Sequence, residues 1–252
     1  MITTTEQKGM DADNPIDLSH AMVIFVFLKP QKTNMRKKER YQRVIDYFKQ
    51  AMPIAETELA YGNPYELLVA VILSAQCTDK RVNQITPELF KRFPKPELMA
   101  EVEPAEVFEY IRSCSYPNNK AKHLVGMARM LVNEFKGVVP DDVNELQKMP
   151  GVGRKTANVI ASVVYEKPAF AVDTHVFRVA NRIGLTTNSK SPLATERELM
   201  KYFPEEIVSL AHHWLILHGR YTCLARTPKC KSCGLKEVCK YYENLQKQQV
   251  VQ

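Results

Sequence analysis

Four of the chain's six cysteines fall in its last thirty residues, in the series Cys223-x6-Cys230-x2-Cys233-x5-Cys239. Thiolates spaced this closely can converge on a single metal centre. Reduced cytosol rarely sustains disulfides, so the crowding points to a metal site rather than a disulfide framework. A structural zinc also takes four thiolates, but usually as two close pairs, unlike this uneven series. Cys77 and Cys114 stand alone in helical sequence and are read as small buried hydrophobes.

A second constellation lies upstream. Leu146 to Ile160 runs through an apolar helix end, the turn Met149-Pro150-Gly151-Val152-Gly153, and a new helix start at Arg154-Lys155. This is the pattern of a helix-hairpin-helix motif, with an ordinary glycine-turned αα-corner as the plain alternative. Gly151 and Gly153 are expected to take backbone conformations closed to other residues, letting the backbone approach a phosphate. The second helix then aims its free N–H groups and positive dipole end at that phosphate. Val152 is expected to plug the turn into the core, and Ala157 to let the helices pack closely. Binding of this kind positions a nucleic acid and reads no bases.

Two side chains beside the hairpin could act on what it binds. Lys155 sits in the first turn of a helix, where the dipole and partial burial both disfavour an ammonium and free its amine. Asp173 precedes an apolar stripe, Val176, Val179, Ala180 and Ile183, so it is placed to cap a helix. Capping would keep its carboxylate ionised and fixed.

The elements that carry these residues are helical. Tyr41, Val44, Ile45 and Phe48 repeat at three and four, as do Leu67, Leu68, Val71 and Ile72, and strand-like alternation is nearly absent. Breakers at Pro53, Asn63-Pro64, Pro94, Pro104, Pro117, Pro140, Pro150-Gly151, Pro168, Pro204 and Pro228 leave short connections. An all-α fold of about ten helices follows. With 252 residues, 45% of them hydrophobic, the chain can form one large domain or two small ones around a cleft. The formal charge of +7 favours a polyanionic partner. The longest apolar run, Ala21 to Leu28, is far short of the ~20 residues a spanning helix needs. Acidic residues precede that run and no small-residue cleavage site follows it, so a cytoplasmic protein with no membrane partner is expected, associated with the nucleoid in a prokaryote. Residues 1–34 read as a disordered extension or a misassigned start.

The string Met149-Pro-Gly-Val-Gly-Arg-Lys155-Thr-Ala-Asn-Val-Ile and the later Ala171-Val-Asp173-Thr-His-Val-Phe-Arg-Val resemble two blocks of the endonuclease III family. These are helix-hairpin-helix DNA glycosylases that also act as AP lyases, and the resemblance covers nearly the whole chain. It implies that Lys155 is the nucleophile and Asp173 the essential carboxylate. It also implies that Cys223, Cys230, Cys233 and Cys239 hold a [4Fe-4S] cluster. The partner implied is double-stranded DNA with a damaged base or an abasic site, bound by a monomer.

A base inside a duplex must be flipped out and its vacancy filled. By position in the family, Gln76 in Leu73-Ser-Ala-Gln76-Cys-Thr-Asp79 and Tyr116 in Ser115-Tyr116-Pro117 are the candidates, although the family pattern has a leucine where Tyr116 stands. Gly151, Val152 and Gly153 complete the expected DNA contacts, while Asp79 matches a family acidic position without an evident role. Arg220, Arg226, Lys229, Lys231 and Lys236 are read as basic side chains held against phosphates by the cysteine loop. Trp214 and Tyr221 are read as packing residues, and His175 as structural or close to DNA.

The expected architecture is two helical domains flanking a DNA-binding cleft. Residues 56–167 form a six-helix barrel with the hairpin motif at 141–166, and residues 35–55 plus 168–247 form the iron-sulfur cluster domain. The function implied is bifunctional removal of a damaged base, by resemblance an oxidised pyrimidine, with β-elimination through a lysine Schiff base. A sibling glycosylase for another lesion or mismatch, and a non-enzymatic iron-sulfur DNA-binding module, are the alternatives.

Overall fold

The computed structural model of the chain describes residues 35–250. The N-terminal reading of residues 1–34, including the Ala21 to Leu28 run, lies outside the described residues. Within them the fold is all-α, with no strand. The chain begins with α1 (Lys37–Ala51), α2 (Pro64–Ser74), α3 (Asp79–Arg92), α4 (Pro96–Ala100), α5 (Pro104–Ile111) and α6 (Pro117–Phe135). It continues with α7 (Val143–Lys148), α8 (Arg154–Tyr165), α9 (Thr174–Ile183), α10 (Pro192–Tyr202), α11 (Val208–Tyr221) and α12 (Lys240–Val250). The count exceeds the expected ten because α4 and α7 span only five and six residues, too short for an apolar repeat to register.

Several of the prolines that punctuate the sequence open helices instead of merely ending them. Pro64, Pro96, Pro104, Pro117 and Pro192 stand in the first turns of α2, α4, α5, α6 and α10, where a missing N–H costs nothing. Polar caps fix the register: the Asn63 side chain accepts from Glu66 N, and Thr78 from Arg81 N. Gly184 ends α9 at φ +89°, a left-handed conformation that costs a side chain strain.

The helices bury two hydrophobic cores. One gathers side chains from Leu59 to Ala171, with α2 at its centre, apolar on all sides. The other joins α1 to the chain after Phe170, so that Phe48 stacks on Trp214 at 5.4 Å and Trp214 Nε1 donates to Met52 O at 2.7 Å. Burying an aromatic of this size contributes on the order of 2–3 kcal/mol from area alone. The first helix thus belongs with the last ones, a pairing set by apolar faces far apart in sequence. Helix α8 packs against α2 and α7 and also against α11, so its N-terminal turn lies where the two cores meet. Among the described residues no helix is long and apolar enough to cross a membrane.

Candidate active site and nucleic-acid interface

The hairpin folds as α7, a five-residue turn and α8. Asp142 accepts from Asn144 N and Glu145 N to start α7, and Val152 N donates to Met149 O at 3.1 Å to close the turn. Met149, Val152 and Ala157 are buried, as expected for a plug and a close helix contact. The two glycines differ. Gly151 has φ +80°, and a Cβ there would stand 2.8 Å from His123 Cβ. Gly153 has φ −86°, an ordinary extended backbone, and a Cβ there would meet nothing within 4 Å. The expectation that both glycines need a special backbone is therefore corrected: only Gly151 does. Gly153 keeps open the space before α8, whose first N–H groups have no side-chain cap. Arg154 turns away from that space and grips Glu196 on α10 through three hydrogen bonds, Nε to Oε2 at 2.9 Å and to Oε1 at 3.2 Å, and Nη2 to Oε1 at 2.6 Å.

Lys155, the second residue of α8, faces a cavity of about 50 Å³ that Asp173, Asp79, His212 and Arg220 also line. Burial pushes its ammonium below the ordinary lysine range; Asp173 and Asp79 oppose the shift, and Arg220 adds to it. Asp173 caps α9 by accepting from Val176 N at 2.8 Å, so the cap fixes its carboxylate at the cavity wall. Across the cavity Arg220 pairs with Asp79 at 2.7 Å and with Glu58, which also accepts from the Tyr221 hydroxyl. Burial opposes it, but the hydrogen bonds from Tyr221 and Arg220 hold Glu58 below the usual carboxylate range. His212 is buried with Nδ1 unpartnered; burial, His213 and Lys155 together hold it well below its ordinary value, and therefore neutral. A mostly buried amine beside a fixed carboxylate and a neutral imidazole is equipped for nucleophilic attack with proton transfer.

Two loops at the outer ends of barrel helices carry Gln76 and Tyr116. Both residues are exposed, Tyr116 at 68%, and both have φ +56°, a conformation that ordinary side chains adopt rarely and at a cost. The loops touch: Ser115 Oγ donates to Gln76 O at 2.6 Å, and Lys120 Nζ donates to Leu73 O at 2.8 Å.

The four late cysteines wall one cavity, lined by no Asp or Glu, behind α9 and α11. Among the described residues no three His, Cys, Asp or Glu side chains meet closely enough to hold one ion. Burial pushes the thiols of Cys230, Cys233 and Cys239 up. Arg182 Nη1 lies 3.6 Å from Cys223 Sγ and also donates to Leu224 O, which braces the loop against α9.

Residues 69–205 match the HhH-GPD superfamily of base excision DNA repair proteins. The chain is 46% identical over 203 residues to endonuclease III of Rickettsia conorii, covering 81% of this chain and 96% of that one. Endonuclease III of Escherichia coli K12 is 41% identical, with 84% of this chain and 99% of that one covered. The chain belongs to the endonuclease III family. A trapped endonuclease III–DNA covalent intermediate superposes at a TM-score of 0.80 with 43% identity, covering 84% of this chain and all of that one. As a family member the chain is an enzyme of base-excision repair, a DNA glycosylase and AP lyase.

Against this endonuclease III fold, three readings from sequence need correcting. Arg220 does not serve the cysteine loop; it reaches into the cleft and pairs with Glu58 and Asp79. Tyr221 is 56% exposed, and its hydroxyl holds Glu58, so it is no packing residue, whereas Trp214 is fully buried. Cys77 is only half-buried and stands 3.8 Å, Sγ to Sγ, from buried Cys114. His175 Nδ1 lies 3.2 Å from Arg178 Nη2, a structural contact. Glu58, His212 and His213 went unread because each lies far in sequence from Lys155.

Proposed function

We propose that Lys155 is the nucleophile and Asp173 the essential carboxylate of a bifunctional glycosylase and AP lyase that removes an oxidised pyrimidine from duplex DNA. The observation that carries this reading is the burial of Lys155 beside Asp173 in one cavity, with the amine's proton affinity lowered. The neutral amine attacks C1′ of the flipped nucleotide, the C1′–N bond breaks, and the base leaves with its electron pair and takes up a proton. Asp173 accepts a proton from the amine or stabilises the positive charge developing on the sugar. The sugar then opens to an imine with Lys155, and loss of a C2′ proton expels the 3′ phosphate. His212, held neutral by burial at the same cavity, adds no charge to compete with the reacting amine. That a relative has been captured as a covalent DNA intermediate supports the amine route over water attack.

The partner on this reading is double-stranded DNA bearing a damaged base or an abasic site, bound by a monomer in the cytoplasm. Gly151, Val152 and Gly153 lead the backbone to a phosphate, and Gln76 and Tyr116 fill the gap left by the flipped nucleotide. The chain divides accordingly into a barrel of residues 56–167 and a second domain of 35–55 plus 168–247, each with its own core. Cys223, Cys230, Cys233 and Cys239 hold a [4Fe-4S] cluster: thiols that wall a cavity instead of meeting at a point suit a group taking one thiolate per iron. Its contribution is to stiffen the loop that presents Lys229, Lys231 and Lys236 to phosphates. The test is borohydride trapping. Wild-type protein with abasic or oxidised-pyrimidine duplex should give a reduced protein–DNA adduct, and base removal without any adduct would overturn the amine route.

A further inference from the structure

We propose that Cys77 and Cys114 are a reversible oxidation site, at which a peroxide joins them in a disulfide that staples the Gln76 loop to the Tyr116 loop and shuts down engagement of DNA. Neither thiol belongs to the cysteine cavity near the C-terminus, and neither has a part in the reaction at Lys155.

The geometry is that of a pair waiting to be linked. The two sulfurs are 3.8 Å apart, already in van der Waals contact, and a disulfide needs ~2.05 Å. The backbone on either side is already tied, by Ser115 Oγ to Gln76 O and by Lys120 Nζ to Leu73 O, so the approach is pre-aligned. The thiols are unequal. Cys77 is partly exposed at the loop surface, whereas Cys114 is 5% exposed. Burial and its neighbour Cys77 push the Cys114 thiol up to about 11, with Lys120 and Arg81 pulling the other way. Cys77 is therefore the sulfur that meets oxidant, and Cys114 the one that resolves it.

The chemistry balances. The Cys77 sulfur attacks hydrogen peroxide, the O–O bond breaks, and a sulfenic acid and one water result. The Cys114 sulfur then attacks the Cys77 sulfur, the S–S bond forms, the S–O bond breaks, and the departing hydroxide takes the Cys114 proton as a second water. Two thiols are oxidised and one peroxide is reduced to two waters; a dithiol such as dithiothreitol reverses the bond by exchange.

The consequence follows from position. Each sulfur is one or two residues from the side chain proposed to enter the duplex, and both of those residues hold left-handed backbones. A covalent staple fixes two loops that must adjust separately as the DNA opens. The inference about DNA rests on the reading of Gln76 and Tyr116 given above; the disulfide itself does not.

The test uses the full chain treated with limited hydrogen peroxide, thiols then blocked by alkylation. Peptide mapping should find Cys77 linked to Cys114, two hydrogens lighter than the separate peptides, and dithiothreitol should remove the link. Affinity for abasic duplex should fall about tenfold or more on oxidation and recover on reduction. Cys77→Ser and Cys114→Ala should bind normally and keep their affinity in peroxide; since they retain the four late cysteines, they account for oxidation there. No linked peptide in wild type, or an equal loss of affinity in the two variants, overturns the proposal. A linked peptide with unchanged affinity overturns the regulatory half. Failure of reduced wild type to nick abasic DNA would instead count against the proposed function, since the mapping needs no activity.

Discussion

Arg220 on α11 and Asp79 at the start of α3 form an ion pair of 2.7 Å across the cavity that Lys155 faces. The pair joins helices from the two different cores, and its two charges act on Lys155 in opposite directions: Arg220 lowers the ammonium pKa and Asp79 raises it.

The first prediction concerns this pair. Arg220→Gln removes a lowering charge and leaves Asp79 unpaired, so Lys155 should hold its proton to higher pH and the acid limb of the trapping-rate profile should move upward. Asp79→Asn should move it downward, and the double variant should lie between. Stopped reactions with borohydride across pH 5 to 10 would measure it. Parallel shifts of the two single variants would mean the pair acts through structure alone.

For the nucleophile, Lys155→Gln should abolish the adduct while leaving DNA affinity within about threefold, because the turn and the basic loop are untouched. An adduct that survives, or maps to Lys120, reassigns the nucleophile.

Asp173 combines a cap with a carboxylate, and two substitutions separate them. Asp173→Asn keeps an acceptor for Val176 N, so thermal stability should hold while adduct formation slows by about 100-fold or more. Asp173→Ala should lose the same rate and also about 1 kcal/mol of stability. Equal melting temperatures for the two would remove the capping role.

The hairpin glycines should part company. Gly151→Ala forces a left-handed backbone and a Cβ into His123, and should cost about 1–2 kcal/mol in denaturant unfolding. Gly153→Ala meets nothing in the free protein, so its stability should be unchanged and only DNA affinity should fall, alike for damaged and undamaged duplex.

His213 offers a stability prediction. Burial, with Arg220 nearby, lowers its pKa to about 4, so the folded chain keeps it neutral while the unfolded chain binds a proton below about 6.5. Its contribution is fully present above about 6.5 and is lost as pH falls toward 4, by up to about 3 kcal/mol. His213→Gln should flatten that part of the stability curve relative to wild type. An unchanged difference between the two proteins from pH 7 to 4 would refute the shift.

Much of this protein is legible in the order of its residues. Helical periodicity and the prolines determined an all-α fold, because an apolar face repeats at three and four and a proline sits best in the first turn of a helix, Pro87 inside α3 being the exception. The cysteine series and the Pro150-Gly151-Val152-Gly153 turn are local in the chain, so their chemistry could be read from spacing. Asp173 as a cap was equally local, three residues from the N–H it accepts. What the sequence left undetermined depends on long-range packing. That α1 shares a core with α11, that Arg220 turns from the cysteine loop into the cleft, and that Glu58, Asp79 and His212 meet Lys155 all depend on how separate helices pack, and no periodicity within one helix reports that. Cys77 and Cys114 make the same point: thirty-seven residues apart and read from sequence as two separate small hydrophobes, their sulfurs are brought to 3.8 Å only because α2 and α6 fold side by side and bring their loops together.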